Sequence, residues 1–211
     1  MKEKGKLEVI CGSMFSGKTE RLMHRLKRAE YAKKNVLTIK HQIDNRMSLT
    51  CIVSHDGSKR EAFPISGNEN ALQELKDLAS KEIEVIGIDE VQFFPEEILE
   101  IICQWVDRGI RVIVAGLDLD FKKIPFGVVP KLMALADEVV KLRAICVICG
   151  DEANFTQRLI DGKPASLHDP VILVGGKECY EPRCRACHQI GTIRSEKEEE
   201  LRSRLSCPTH I

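Results

Sequence analysis

The sequence predicts an α/β fold: a mainly parallel, helix-covered sheet up to about residue 143, followed by a small cysteine-bearing C-terminal element. Two observations carry this. Short apolar runs alternate with segments of helical periodicity as far as residue 142, and such alternation implies parallel strands joined by crossover helices. Beyond Cys146 the texture changes to short runs, turn residues such as Asp161, Gly162, Lys163 and Pro164, and paired cysteines.

Taken in order, Leu7 to Cys11 reads as a strand that ends at Gly12. Lys18 to Lys34 reads as a helix with Leu22, Leu26 and Ala29 on one face. Val36 to Ile39 is the second strand, and residues 41–62 are polar and read as a mobile loop with a short strand at Cys51 to Val53. Asn68 can cap a helix whose Leu72, Leu75 and Ala79 share a face. Glu84 to Asp89 is a buried strand, and Pro95 opens a helix with an apolar stripe of Ile98, Ile101, Ile102, Trp105 and Val106, closed by Gly109. Trp105 is therefore expected in the core. Ile110 to Ala115 is a strand, Val128 to Ala136 a helix and Val139 to Leu142 the last strand of the alternating part. The boundaries expected are 1–143, 144–194, and a highly charged tail over 195–211.

The bulk composition excludes several classes. The chain has 211 residues, of which 43% are hydrophobic and 30% charged, enough for one medium domain with a small appendage. Thirty-two basic residues balance thirty-two acidic ones, so no net field favours nucleic acid or an anionic membrane as partner. The N-terminus shows no secretory signal core, and the longest apolar runs, such as Ile110 to Leu117, fall far short of the roughly 20 residues a membrane helix needs. Nine cysteines, four of them in two CxxC pairs, favour metal over disulfides and a cytoplasmic location.

Three motifs carry chemistry. Gly12, Ser13, Met14, Phe15, Ser16, Gly17, Lys18 and Thr19 fit G-x-x-x-x-G-K-[ST], a phosphate-binding P-loop set between a strand and a helix. Its main-chain N–H groups would cradle a nucleoside triphosphate, Lys18 would neutralise the β- and γ-phosphates, and Thr19 would ligate Mg²⁺. Met14 and Phe15 are large and apolar, suited to line a neighbouring substrate pocket. The strand ending in Asp89 and Glu90 matches a Walker B carboxylate for Mg²⁺ followed by an acid able to accept the proton of an alcohol. Cys146, Cys149, Cys184 and Cys187 supply four thiolates that suit a structural, tetrahedral Zn²⁺. His188 could replace Cys187, although the second CxxC spacing favours the cysteine. Cys11, Cys51, Cys103, Cys179 and Cys207 read as unpaired.

Together with Asp89 to Phe94 (DEVQFF), Leu117 to Phe121 (LDLDF) and Pro125 to Gly127 (PFG), these motifs resemble the cytosolic, zinc-containing thymidine kinases, in order and spacing from residue 7 to about 193. The resemblance implies a P-loop (RecA-like) mainly parallel sheet with flanking helices, plus a small C-terminal zinc-ribbon/lasso domain. It implies transfer of the ATP γ-phosphate to the 5′-hydroxyl of thymidine, and a homotetramer. By position it puts ATP on Gly12 to Thr19, makes Glu90 the proton acceptor, and adds Asp89, Gln92, Asp44 and Arg46 to the nucleotide site. Arg46 could reach the transferring phosphoryl group, and Asp44 could support Mg²⁺ or the loop. Met14, Phe93, Leu117 and Phe121 match an apolar nucleoside pocket. Phe155 to Arg158 resembles the segment near the thymine methyl, with Thr156 in it. Val171, Ile172, Leu173, Val174 and Gly175 match the lasso strip that binds the base through its main chain, and Tyr180 matches a lasso tyrosine. Two features depart from the pattern: Ser166 to Pro170 lengthens the lasso, and Lys122, Lys123 and Ile124 precede Pro125.

Two rival readings are weaker. A P-loop ATPase with a zinc element binding nucleic acid would use the basic residues Arg21, Arg25, Lys27, Arg28, Lys33 and Lys34 of the first helix, but these suit a solvated face in a neutral chain that lacks an aromatic stacking platform. A GTP-driven switch would need an Asn-Lys-x-Asp motif, which the sequence lacks.

Overall fold

The computed structural model describes residues 5–43, 50–53, 57–65, 73–75, 82–172 and 179–191. Its centre is a six-stranded sheet in which every pairing is parallel. In chain order the strands are β1 (Lys6–Gly12), β2 (Val36–His41), β5 (Phe63–Ile65), β6 (Val85–Asp89), β7 (Arg111–Gly116) and β8 (Glu138–Leu142), lying side by side as β5-β2-β6-β7-β1-β8. β3 (Cys51–Val53) and β4 (Lys59–Glu61) form a separate antiparallel pair. The helices α1 (Lys18–Tyr31), α2 (Ile98–Asp107) and α3 (Val129–Leu135) flank the sheet. Both faces are covered, so β1, β6 and β7 are almost wholly buried, as parallel strands must be.

Each helix is set by its apolar stripe. Leu22, Leu26 and Ala29 of α1 are buried against Val85, Ile113 and Ala115 on one face of the sheet. Ile98, Ile101, Ile102 and Trp105 of α2 join Val9, Ile86, Ile88 and Val112 on the other. Trp105 is fully buried, as its position in the stripe predicts. α1 stops at Tyr31, short of the expected Lys34, because Lys33 adopts φ 62° and turns the chain toward β2. Ahead of α2, the main chain is tightened by i to i+3 bonds from Ile98 N to Pro95 O and from Leu99 N to Glu96 O, so the helix proper begins three residues beyond Pro95.

The stretch 41–62, expected to be loop with one short strand, contains the β3–β4 hairpin among its described residues. β5 follows and was not anticipated: Pro64 lies inside it, which a sheet tolerates only at its edge, where β5 sits. Of the helix expected after Asn68, residues 73–75 are helical. Asn68, Leu72, Ala79 and the tail 195–211 lie outside the described residues.

From residue 144 the named strands among the described residues form short antiparallel pairs, and Ser166 meets Gly191 in a single parallel bridge. β9 (Ala144–Ile145) pairs with β10 (Glu152–Ala153), and β11 (Phe155–Ile160) lies between β12 (Lys163–Pro164) and β13 (Tyr180–Arg183). Asp161 and Gly162 join β11 to β12 with φ of 51° and 74°, the two positive values a type I′ hairpin turn requires.

One ion cluster was invisible in the sequence. Glu8 in β1 is buried, and its carboxylate receives Arg111 Nε at 2.8 Å, Arg25 Nη1, and Lys6 Nζ at 3.3 Å. Burial pushes the Glu8 carboxyl up, but Arg111, Arg25 and Lys6 together hold it below its ordinary value. Arg25 also reaches Glu138 at 2.7 Å. The arginine expected on a solvated basic face thus points inward, and Lys34 is paired with Glu84 at 2.8 Å.

Candidate functional site

In a parallel sheet all C-terminal strand ends lie along one edge, and ligands bind there where the strand order reverses. β1 is flanked by β7 and β8, and its end at Gly12 opens the phosphate loop. The loop is held by its own geometry. Gly12 has φ 140°, and a Cβ there would lie 2.3 Å from the Leu142 carbonyl oxygen. Phe15 and Gly17 are also left-handed, with φ of 64° and 82°, which turns successive N–H groups inward. Ser16 Oγ and Lys18 Nζ each donate to the Ser13 carbonyl at 2.8 Å. Gly17 at the N-cap of α1 makes no side-chain cap bond, which suits the N–H groups of the first turn to an anion.

The two motifs expected to share Mg²⁺ touch. Thr19 Oγ1 donates to Asp89 Oδ2 at 2.9 Å, joining the start of α1 to the end of β6. A hydroxyl and a buried carboxylate side by side form a hard oxygen donor set that fits Mg²⁺.

Glu90 follows in a left-handed conformation, φ 54° and ψ 42°. For a non-glycine residue this is strained, and such strain concentrates at functional positions. Its carboxylate is half-buried and accepts from Gln92 Nε2 at 2.6 Å. Gln92, itself buried, accepts at Oε1 from the Leu117 N–H at 3.0 Å. Space for this side chain and its backbone is kept by two glycines: a Cβ on Gly116 would lie 2.7 Å from Gln92 Oε1, and one on Gly127 would lie 2.3 Å from the Gln92 carbonyl oxygen. The signal for the second was already in the PFG motif.

Phe93 packs edge-on to Phe126, centroids 5.9 Å apart, and tilted against His41 at 6.0 Å. His41 is buried, and burial lowers its pKa. Leu117 is half-buried beside Asp118, whose carboxylate pairs with Lys141 at 2.6 Å. Asp120 holds the next turn by accepting from Lys122 N at 2.8 Å and Ile124 N at 2.9 Å. That turn presents Phe121, buried against Ile160 and Ala165.

The phosphate loop is tied to the C-terminal element. Met14 N donates to Thr156 Oγ1 at 3.0 Å, and Ser13 Oγ donates to the Ala153 carbonyl at 3.3 Å. Tyr180 is buried in β13 opposite Arg158 of β11. Of the expected lasso strip, Val171 is half-buried and Ile172 exposed, while Leu173, Val174 and Gly175 lie outside the described residues, as do Asp44 and Arg46.

The sulfurs of Cys146, Cys149, Cys184 and Cys187 all lie within 4.8 Å of one another, with Cys149 and Cys184 3.6 Å apart. A tetrahedral zinc with Zn–S of about 2.3 Å requires S–S edges of about 3.8 Å, so the group fits. Burial opposes ionisation of Cys146, but main-chain bonds at Cys184, Cys149 and Ile148 outweigh it and bring the thiol down to about 6. Hydrogen bonding with the Cys184 and Cys149 sulfurs pushes Cys187 up to about 12. Four thiols this close oppose one another's ionisation, which a cation among them would relieve. His188 stands outside the cluster, with Nε2 3.0 Å from the Phe121 carbonyl oxygen. Cys11, Cys51, Cys103 and Cys179 are free, and Cys207 lies outside the described residues. Burial, reinforced by Asp118, pushes the Cys11 thiol up to about 11.

Among the described residues no helix is long and apolar enough to cross a membrane. The family model for thymidine kinase matches residues 5–188, which takes in the phosphate loop, the Asp89 to Gln92 corner and all four clustered cysteines. The chain belongs to the thymidine kinase family, whose reaction carries the γ-phosphate of ATP to the 5′-hydroxyl of thymidine and yields thymidine monophosphate and ADP.

Proposed function

We propose that this site divides between two substrates along the corner formed by Thr19, Asp89, Glu90 and Gln92. ATP lies with its triphosphate on Gly12, Ser13, Met14, Phe15, Ser16, Gly17, Lys18 and Thr19, and Lys18 exchanges its bond to the Ser13 carbonyl for the β- and γ-phosphates. Thr19 and Asp89 would hold Mg²⁺, which when bound neutralises phosphate charge. Asp44 and Arg46 complete the ATP side on the strength of the family pattern. Thymidine lies against Met14, Phe93, Leu117, Phe121, Thr156 and Tyr180, beneath the strip Val171, Ile172, Leu173, Val174 and Gly175.

The 5′-oxygen forms a bond to the γ-phosphorus, the bond from that phosphorus to the bridging oxygen breaks, ADP leaves, and Glu90 takes the hydroxyl proton. Gln92 aims the Glu90 carboxylate. The observation that carries this reading is the Gln92 side chain, held at one end by the Leu117 N–H and bonded at the other to Glu90 at 2.6 Å.

Structural Zn²⁺ on Cys146, Cys149, Cys184 and Cys187 would staple the 144–194 domain to itself, leaving 1–143 as the nucleotide-binding domain and 195–211 as a tail. We further assign a homotetramer in the cytoplasm. Light scattering that gives a monomer, or fractionation that finds the protein with membranes, would remove those two assignments.

The test is phosphoryl transfer from ATP with Mg²⁺ to each nucleoside. Glu90→Gln is expected to lower kcat by about 10²–10⁴-fold with little change in the KM for thymidine. If thymidine gives no monophosphate while DNA stimulates ATP hydrolysis, the two-substrate reading is wrong.

A further inference from the structure

Arg158 takes part in no step above, yet it stands among the side chains assigned to the nucleoside. Alternate residues of a strand share a face, so Thr156, Arg158 and Ile160 of β11 point the same way. Directly opposed residues of an antiparallel pair also share a face, and Arg158 is opposed by Tyr180. The guanidinium carbon lies 5.2 Å from the centroid of Phe121, the ring that packs on Ile160. Arg158 therefore sits between Thr156, Tyr180 and Phe121.

Its bonding is incomplete. The residue is only 3% exposed, and a guanidinium keeps its charge whatever its burial. Nη1 donates to the Pro170 carbonyl. Among the described residues no carboxylate pairs with it, and Nε–H is buried without an acceptor. A buried cation with an unmade hydrogen bond is costly to fold around. Such a group persists where a ligand supplies the missing acceptor.

We propose that Arg158 Nε–H donates to a carbonyl oxygen of the pyrimidine base, which makes Arg158 a specificity-determining residue. The inference rests on the kinase reading and deepens it. Guanidinium only donates, so it favours a base edge carrying carbonyl oxygens over one carrying an amino group. Through the Pro170 carbonyl the same side chain also holds the main chain just ahead of Val171.

The test compares thymidine, 2-thiothymidine and 4-thiothymidine as substrates of the wild type, Arg158→Leu and Arg158→Lys, since sulfur is a poor acceptor. The wild type is expected to disfavour one thio-nucleoside by about tenfold or more in kcat/KM. Arg158→Leu should lose that discrimination, raise the KM for thymidine by roughly ten- to a hundredfold, and leave the KM for ATP unchanged. Should Arg158→Leu fail to fold, Arg158→Lys, which keeps the charge but not the fixed Nε–H, gives the same comparison. The inference is overturned if the wild type discriminates against neither analogue, or if substitution slows all three substrates by one factor, as loss of the Pro170 anchor alone would do. A wild type that phosphorylates no thymidine would instead overturn the kinase reading itself.

Discussion

Replacing Gln92 by Leu separates the two jobs this side chain performs. Shape is nearly kept, but both hydrogen bonds go. The bond from Nε2 to the Glu90 carboxylate, 2.6 Å long, has a charged acceptor. Such bonds contribute about 1.5–3 kcal/mol, which at about 1.4 kcal/mol per decade predicts a fall in kcat of roughly 10- to 150-fold. The second bond, from Leu117 N at 3.0 Å, leaves a part-buried N–H without a partner. That costs about 1–3 kcal/mol of stability, or about 2–12 °C in Tm for a chain of this length. Steady-state kinetics at saturating ATP and thermal unfolding read the two effects independently. The reasoning also fixes a cycle: if Gln92 works through Glu90, then Gln92→Leu in a Glu90→Gln background should cost little further kcat. A full, multiplicative loss in the double variant would refute it.

Other perturbations give equally definite expectations. Glu8→Gln removes the negative charge that three cations share and should destabilise the fold by about 3–5 kcal/mol at neutral pH, the cost of breaking a buried ion pair. Because the folded Glu8 carboxyl lies below its ordinary 4.5, its contribution is full above that pH and disappears as pH falls through the lowered value. The Tm gap between wild type and variant should therefore close in acid, and a gap that widened would contradict the assignment. Gly12→Ala puts a Cβ 2.3 Å from the Leu142 carbonyl oxygen, an obstacle of backbone that cannot swing aside; ATP affinity should fall at least about tenfold, and an unchanged Kd by calorimetry would show the loop to be more pliant than its contacts imply. Fresh reduced protein should carry one zinc per chain and Cys184→Ser none, with helical circular dichroism retained. Metal-free wild type would end the zinc assignment.

The sequence revealed what depends on local pattern. The phosphate loop, the Asp89 corner, the apolar stripe of α2 and the paired cysteines are short-range signals, and each sits where its spacing predicts. What stayed hidden depends on contacts between distant segments. β5 carries Pro64 and only three residues, so nothing local distinguishes it from loop until β2 pairs with it. Arg25 reads as a solvated charge because its partner Glu138 is more than 100 residues away, and Glu8 gives no local sign of its equally distant partner Arg111. Thr156, Gln157 and Arg158 form a polar run in the sequence, yet all are buried. Gln157 is satisfied by both main-chain groups of Gln189 at 2.8 Å, Thr156 by the phosphate loop, and Arg158 only in part.

The Met14 N–H to Thr156 bond joins two walls of the proposed site. One partner belongs to the wall proposed for the triphosphate and the other to the wall proposed for the base, and they meet at 3.0 Å. Any adjustment that one substrate imposes on this contact changes the free energy with which the other is received. Linkage then demands reciprocity: whatever factor thymidine applies to ATP affinity, ATP must apply to thymidine affinity. A nucleoside analogue that shifts Thr156 would thus change ATP affinity without touching a phosphate, and order of addition would leave the final ternary affinity unchanged.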